Sequence, residues 1–278
     1  MKLSKGVQFM IISTFTFALM KVCVKSISHI PAIEIIFFRS VISIIICFFF
    51  FLKDNISPWG NNKRILILRG IVGSIALASY FYILQKIPLA AAASMQYMAP
   101  IFTTILGVFI VKEKVSSKQY LFFLLSFLGI IIIQGFDARI SLLHFVIGIG
   151  GAIFTGLAYN CIRILKTSEH PLVIIFYFPL VSLPLAGLIS IFDWVQPEDW
   201  DWMYLLLVGL FTQIAQYFMT RSYQAEELSK VSIINYMGII YSLAFGFIIF
   251  GETYDWMSYA GMVLVIFGII LNLRFKKA

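Results

Sequence analysis

The sequence predicts an all-α integral membrane protein of ten transmembrane helices, built as two inverted five-helix repeats. Three observations carry this: a composition too apolar for a soluble domain, basic residues that alternate between the ends of successive apolar runs, and a residue pattern that recurs in the second half. Hydrophobic residues make up 61% of the chain and charged residues 12%, against roughly half apolar and a quarter charged in soluble domains. The apolar runs are each about 20 residues long, enough for a helix to cross a hydrocarbon core of about 30 Å.

Hydropathy and helix breakers place the ten spans near 5–27, 31–52, 64–86, 89–111, 118–135, 142–166, 171–192, 202–224, 229–250 and 256–274. Lys2 and Lys5 precede the first run as in a signal peptide, but the run continues to about Ile27 with no small-residue cleavage site, so it reads as a retained span. Pro31, Pro88 and Pro171 fall at span starts, where a missing N–H is tolerated. The polar stretches Lys53 to Arg64 and Asp193 to Asp201 are connections between spans. Trp194, Trp200, Trp202 and Trp256 are placed as interfacial anchors.

Charge fixes the orientation. With both termini in the cytoplasm, that side collects Lys2, Lys5, Lys53, Lys63, Arg64, Lys112, Lys114, Lys118, Lys166, Lys230, Arg274, Lys276 and Lys277. The other side receives only Lys25, Lys86 and Arg139, with the acidic group Asp193, Glu198, Asp199 and Asp201. This is the positive-inside pattern, and gaining or losing one span would destroy it. The formal charge of +8 therefore points to a membrane surface and not to nucleic acid, since no basic face is assembled. Cys23, Cys47 and Cys161 all lie in apolar runs without metal-ligand spacing and read as small buried hydrophobes.

The halves correspond. Ser94-Met95-Gln96-Tyr97-Met98 in the fourth span matches Ile233-Ile234-Asn235-Tyr236-Met237 in the ninth at an offset of about 139 residues, and Glu113 meets Glu252 at the same offset. Tyr80-Phe81 matches Tyr217-Phe218 with a two-residue shift, and Pro31 and Pro171 both open the second span of their half. The repeats are assigned to 1–137 and 138–278. An odd span count per repeat inverts the second copy, a construction recurrent in secondary transporters, with a site near the midplane.

The ordered segments Glu34-Ile35-Ile36-Phe37-Phe38-Arg39-Ser40, Leu68-Arg69-Gly70, Ile87-Pro88-Leu89-Ala90, Tyr97-Met98-Ala99-Pro100 and Gly251-Glu252 resemble the EamA-like branch of the drug/metabolite transporter superfamily over essentially the whole chain. The resemblance implies ten helices around a central cavity lined chiefly by spans 1, 3, 4, 6, 8 and 9, and exchange or ion-coupled movement of small organic solutes. Phe37 to Ser40 and Arg69-Gly70 look most like members that take up S-adenosylmethionine; other similar members handle riboflavin or amino acids. One departure is Gly238-Ile239 where the fourth span has Ala99-Pro100, so the two spans need not bend alike.

Ionisable groups inside spans are functional candidates because burying a charge in hydrocarbon costs at least a few kcal/mol. Arg39 lies roughly 12 Å and Lys21 about 9 Å below the outer surface. Either could attract an anionic group, or could pair with Glu34 and merely join two spans. The uncharged candidates divide into two half-sites: Tyr80, Gln96 and Tyr97 in the outer half of the bilayer, and Asn160, Tyr177, Gln216, Asn235 and Tyr236 in the inner half. Ala93, Gln96, Tyr97 and Pro100 share a helical face, as do Ser232, Asn235, Tyr236 and Ile239. Such residues bind solutes by stacking and hydrogen bonds, or simply join helices. Glu113 and Glu252 at span ends read as anchors or caps, and His29, His144 and His170 lie at span edges, poorly placed for a proton relay.

No H-E-x-x-H, G-x-S-x-G or paired intramembrane aspartate is present, so an enzyme is not expected. No cofactor or metal is implied. The favoured reading is a secondary transporter of the bacterial inner membrane that moves S-adenosylmethionine by exchange and alternating access. A carrier or exporter of amino acids or riboflavin, a lipid flippase, a channel and a non-transporting assembly or receptor protein stay open. Its partners would be the small-molecule substrate and membrane lipids, with no nucleic acid, and a homodimer is compatible.

Overall fold

The computed structural model describes residues 4–112, 116–134, 141–253 and 255–275. Glu113, Lys2, Lys114, Arg139, Lys276, Lys277 and the repeat boundary between 137 and 138 lie outside them. The described residues form α1 (Lys5–Ser26), α2 (Ala32–Lys53), α3 (Lys63–Lys86), α4 (Leu89–Gln96), α5 (Ala99–Ile110), α6 (Ser117–Gln134), α7 (Leu142–Ile164), α8 (Pro171–Ser190), α9 (Asp201–Ala225), α10 (Leu228–Val231), a 3-10 turn (Ser232–Tyr236), α11 (Met237–Phe250) and α12 (Trp256–Phe275). Helices α1, α2, α3, α7, α8 and α9 are each long and apolar enough to cross a membrane. The protein is an all-α integral membrane protein.

Helix starts follow local chemistry. Ser4, Asn62 and Ser141 accept hydrogen bonds from the backbone N–H groups of Val7, Ile65 and His144, satisfying donors that have no partner within the helix. His170 caps α8 by accepting from Leu172 N at 3.3 Å. Burial, and then the nearby Arg221 charge, hold its imidazole below the usual histidine range, so the ring is neutral at pH 7 and keeps an acceptor nitrogen.

The fourth span is interrupted near its middle and the ninth near its start. In the fourth, α4 ends at Gln96 and α5 starts at Ala99 with Pro100 in its first turn. In the ninth, the 3-10 turn separates α10 from α11 without any proline. Both spans break, but not alike: a two-residue interruption follows the eight-residue α4, whereas a five-residue 3-10 turn follows the four-residue α10. Tyr97 and Tyr236, equivalent residues at the two breaks, meet with ring centroids 6.0 Å apart, and Tyr97 Oη occupies space left by the missing side chain of Gly238.

Helix neighbours obey the same two-fold relation. The packing of α1 on α9 has its counterpart in α7 on α3, that of α3 on α8 in α9 on α2, and that of α5 on α7 in α11 on α1. Helices α2 and α8, and α6 and α12, pair with their own equivalents. Glycines permit close approach where helices cross, the usual device when lipid supplies no hydrophobic drive: Gly156 of α7 faces the backbone of Phe102 and Thr103 on α5.

Connections at one end are tied together by Glu169, whose carboxylate accepts from Asn61 N at 2.7 Å and from Asn62 N. At the other end, Gly251 closes α11 with φ 62°, a left-handed conformation that glycine adopts without penalty. The turn brings Glu252 to Lys25 in an ion pair and to Leu89 N, 2.9 Å away, at the start of α4. The anchoring and capping expected of Glu252 is what the structure shows.

Candidate functional site

A central cavity is bounded by α1, α3, the α4–α5 break, α7, α9 and the 3-10 turn, with one residue each from α2 and α8, Arg39 and Phe178. Seven of the ten residues singled out from sequence line it: Lys21, Arg39, Tyr80, Gln96, Tyr97, Gln216 and Asn235. Tyr80, Gln96 and Tyr97 of the outer group and Gln216 and Asn235 of the inner group face one common space.

Arg39 and Arg69, each 2% exposed, share a support. Their guanidinium carbons lie 4.6 and 4.7 Å from the ring centroid of Phe178, an arrangement in which the aromatic ring partly stabilises both cations. Arg39 Nε donates to Thr212 Oγ1 at 3.1 Å and Arg69 Nη2 to Gln216 Oε1 at 3.3 Å, one turn apart on α9. Arg39 Nη1 and Arg69 Nε and Nη1 are buried with no hydrogen-bond partner among the described residues. Gly73 leaves the space that Arg69 Nη1 fills.

Lys21 is 5% exposed and donates to Tyr97 Oη at 3.1 Å. Its ammonium lies 4.8 Å from the Tyr97 ring centroid and 5.8 Å from that of Tyr80. Glu34 pairs with neither cation: its carboxylate accepts from Val195 N at 3.0 Å. Among the described residues no aspartate or glutamate lines the cavity, which thus holds three cationic side chains and no acidic one.

The break in the fourth span changes which residues face inward. Gln96, Tyr97, Ala99 and Pro100 all line the cavity, whereas Ala93, expected on the same helical face, is fully buried elsewhere. Gln96 Nε2 donates to Thr155 Oγ1 at 3.2 Å, and Asn235 Nδ2 to Tyr223 Oη at 3.0 Å. Of the Asn235 group, Tyr236 packs against Tyr97 without reaching the cavity, and Ile239 is buried.

Three candidates do not line the cavity. Asn160 does not line the cavity; its amide donates to Thr103 O at 3.0 Å and Gly156 O at 2.9 Å, joining α7 to α5. Tyr177 adjoins Phe178 on α8 but does not line the cavity; its hydroxyl donates to Trp59 O at 2.7 Å. Tyr236 completes the contact between the two breaks. Tyr177→Phe is expected to lower stability by about 1 kcal/mol, the usual net value of one such bond, and to leave the transport KM unchanged; thermal unfolding in detergent beside uptake kinetics checks both.

Arg69, Phe178, Tyr159 and Thr155 are among the lining residues that sequence reasoning did not select. Arg69 carried a usable signal. It stands six residues inside an apolar span with glycines at 70 and 73, so a charge in the membrane is followed by room for its side chain.

Residues 4–135 and 142–274 each match the EamA-like transporter family. The chain belongs to that family. Like other EamA-like proteins it is a transporter, not an enzyme. It is 30% identical over 278 residues to the pseudopaline exporter CntI of Pseudomonas aeruginosa, covering 99% of this chain and 98% of that one. Human solute carrier family 35 member G1 is 27% identical, covering 94% of this chain and 76% of the relative. An uncharacterized transporter of Helicobacter pylori is 26% identical over 94% of this chain and 92% of its own. A solved crystal structure superposes over the whole of both chains with a TM-score of 0.82 at 14% identity, which shows that the fold is shared.

Proposed function

We propose that this EamA-like transporter carries a small organic anion across the bacterial inner membrane by alternating access. One observation supports the reading above all others: the cavity concentrates Lys21, Arg39 and Arg69 with no acidic side chain beside them among the described residues. Charges in a membrane interior are held against a cost of several kcal/mol. An anionic ligand offsets that cost, and the unused guanidinium N–H groups offer the forked geometry that carboxylates accept.

The same chemistry weighs against S-adenosylmethionine. At neutral pH that molecule bears a sulfonium, an ammonium and one carboxylate, so two of its three charges would face like charges. Amino acids fare little better, since their ammonium finds no carboxylate on the wall among the described residues. Export by the Pseudomonas relative supports movement of an organic solute without fixing direction here.

Both termini are assigned to the cytoplasm, and the division into repeats at 1–137 and 138–278 is retained. The Glu169 contacts join two connections assigned to the cytoplasmic side, and the Lys25, Glu252 and Leu89 cluster joins three positions assigned to the outer side. The two sub-bundles would rock about the contact between the broken spans.

Counterflow of labelled naphthalene-2,6-dicarboxylate into proteoliposomes tests the reading, with 2-naphthoate, leucine and S-adenosylmethionine as competitors. Saturable uptake inhibited by the organic anion and indifferent to the other two is the expected result. Saturable uptake of labelled S-adenosylmethionine that neither naphthalene acid inhibits would overturn it.

A further inference from the structure

We propose that the transported anion carries two acidic groups about 10 Å apart, one held by Arg39 and Arg69 and the other by Lys21, with a flat or apolar portion between them; the proposal rests on the anion reading above.

The three cations are not one cluster. Arg39 and Arg69 share the Phe178 ring and are steadied from α9 by Thr212 and Gln216. Lys21 shares none of these partners; its contacts are Tyr97 and Tyr80. Helix α3 measures the separation, because it carries residues of both poles. The Arg69 guanidinium reaches the level of Gly73, and Tyr80, beside Lys21, follows seven residues later, or about 10 Å along the axis at 1.5 Å per residue.

Each pole retains donors for a ligand. Arg39 Nη1 and Arg69 Nε and Nη1 form an unpartnered set suited to one carboxylate or comparable group. The Lys21 ammonium has three N–H groups, of which Tyr97 receives one. A single acidic group at the arginines would leave Lys21 uncompensated; a second one satisfies it. The wall between the poles includes Ala76 and Leu77, with Tyr80 beyond them, an apolar and aromatic surface suited to a flat segment.

All three cations come from the first half of the chain. At the repeat offset Lys21 corresponds to Asn160, which is committed to joining α7 and α5, and Arg39 corresponds to Phe178. The backbone is pseudo-symmetric and the site is not, so both acidic groups are held by residues of the first half of the chain.

The test is competition by 2-naphthoate and naphthalene-2,6-dicarboxylate, which differ by one acid, in the wild type, Lys21→Gln and Lys21→Arg proteins. The wild type is expected to bind the diacid at least about tenfold more tightly, the effect of one added charge contact in a partly desolvated site. Lys21→Gln should bring that ratio close to one by weakening the diacid alone, and Lys21→Arg should preserve it. Equal competition by both acids in the wild type would overturn the two-pole assignment, as would a Lys21→Gln protein weakened equally toward both. Failure of both acids to bind the wild type would instead remove the anion reading beneath it. The wild-type ratio decides the matter even if Lys21→Gln does not fold.

Discussion

Arg69→Gln is expected to reduce transport efficiency for an organic dianion on the order of 100-fold, through loss of a charge-assisted contact of about 3 kcal/mol, while the protein still inserts and folds. Arg69 is among the largest fully buried side chains and sits 4.7 Å above the Phe178 ring with two nitrogens unpartnered. Removing its charge also removes the repulsion it exerts on Arg39, so stability should not fall in step with transport. That divergence separates a ligand-holding arginine from a structural one. Arg69→Lys should recover part of the loss, because charge returns without the forked donor geometry. Uptake kinetics beside thermal unfolding in detergent give both quantities. Unchanged uptake by Arg69→Gln would remove Arg69 from the site.

Gly156→Leu is expected to destabilise the bundle by about 3 kcal/mol or more, combining overpacking with a lost buried hydrogen bond. A Cβ at Gly156 would lie 2.9 Å from Thr103 N and 3.0 Å from the carbonyl carbon of Phe102. Both are backbone atoms, so no rotamer change relieves the clash and α7 must move from α5. Asn160, one turn on, would then lose its bond to Thr103 O. Gly150→Leu on the same helix is the control, since a Cβ there meets nothing within 4 Å. Melting temperatures of the two variants should differ clearly, with Gly156→Leu the lower; equal values would show that this crossing is not tight.

Asn160 and Gln96 show why site membership is only half legible from a chain. Both are amides inside apolar spans, and residue type gives them equal claims. The structure turns Asn160 onto the α5 backbone and leaves Gln96 at the cavity. Tyr97 and Tyr236 divide in the same way, although they occupy equivalent positions. Arg69 entered the sequence reading only as part of the Leu68-Arg69-Gly70 segment, and the structure shows that its side chain runs inward, over the gap left at Gly73.

The sequence by itself determined the membrane class, the spans and the inverted repeat. Each depends on hydropathy, charge or periodicity along the chain, and these quantities are local or compare one stretch with another. Tertiary structure alone decided that both broken spans break, that the polar residues enclose one cavity, and that three cations from the first half face it without an acid among the described residues. Those outcomes depend on which side of a helix meets which neighbour. That is set by close packing of backbones at positions such as Gly156 and Gly238, and the chain brings those partners together only once it has folded.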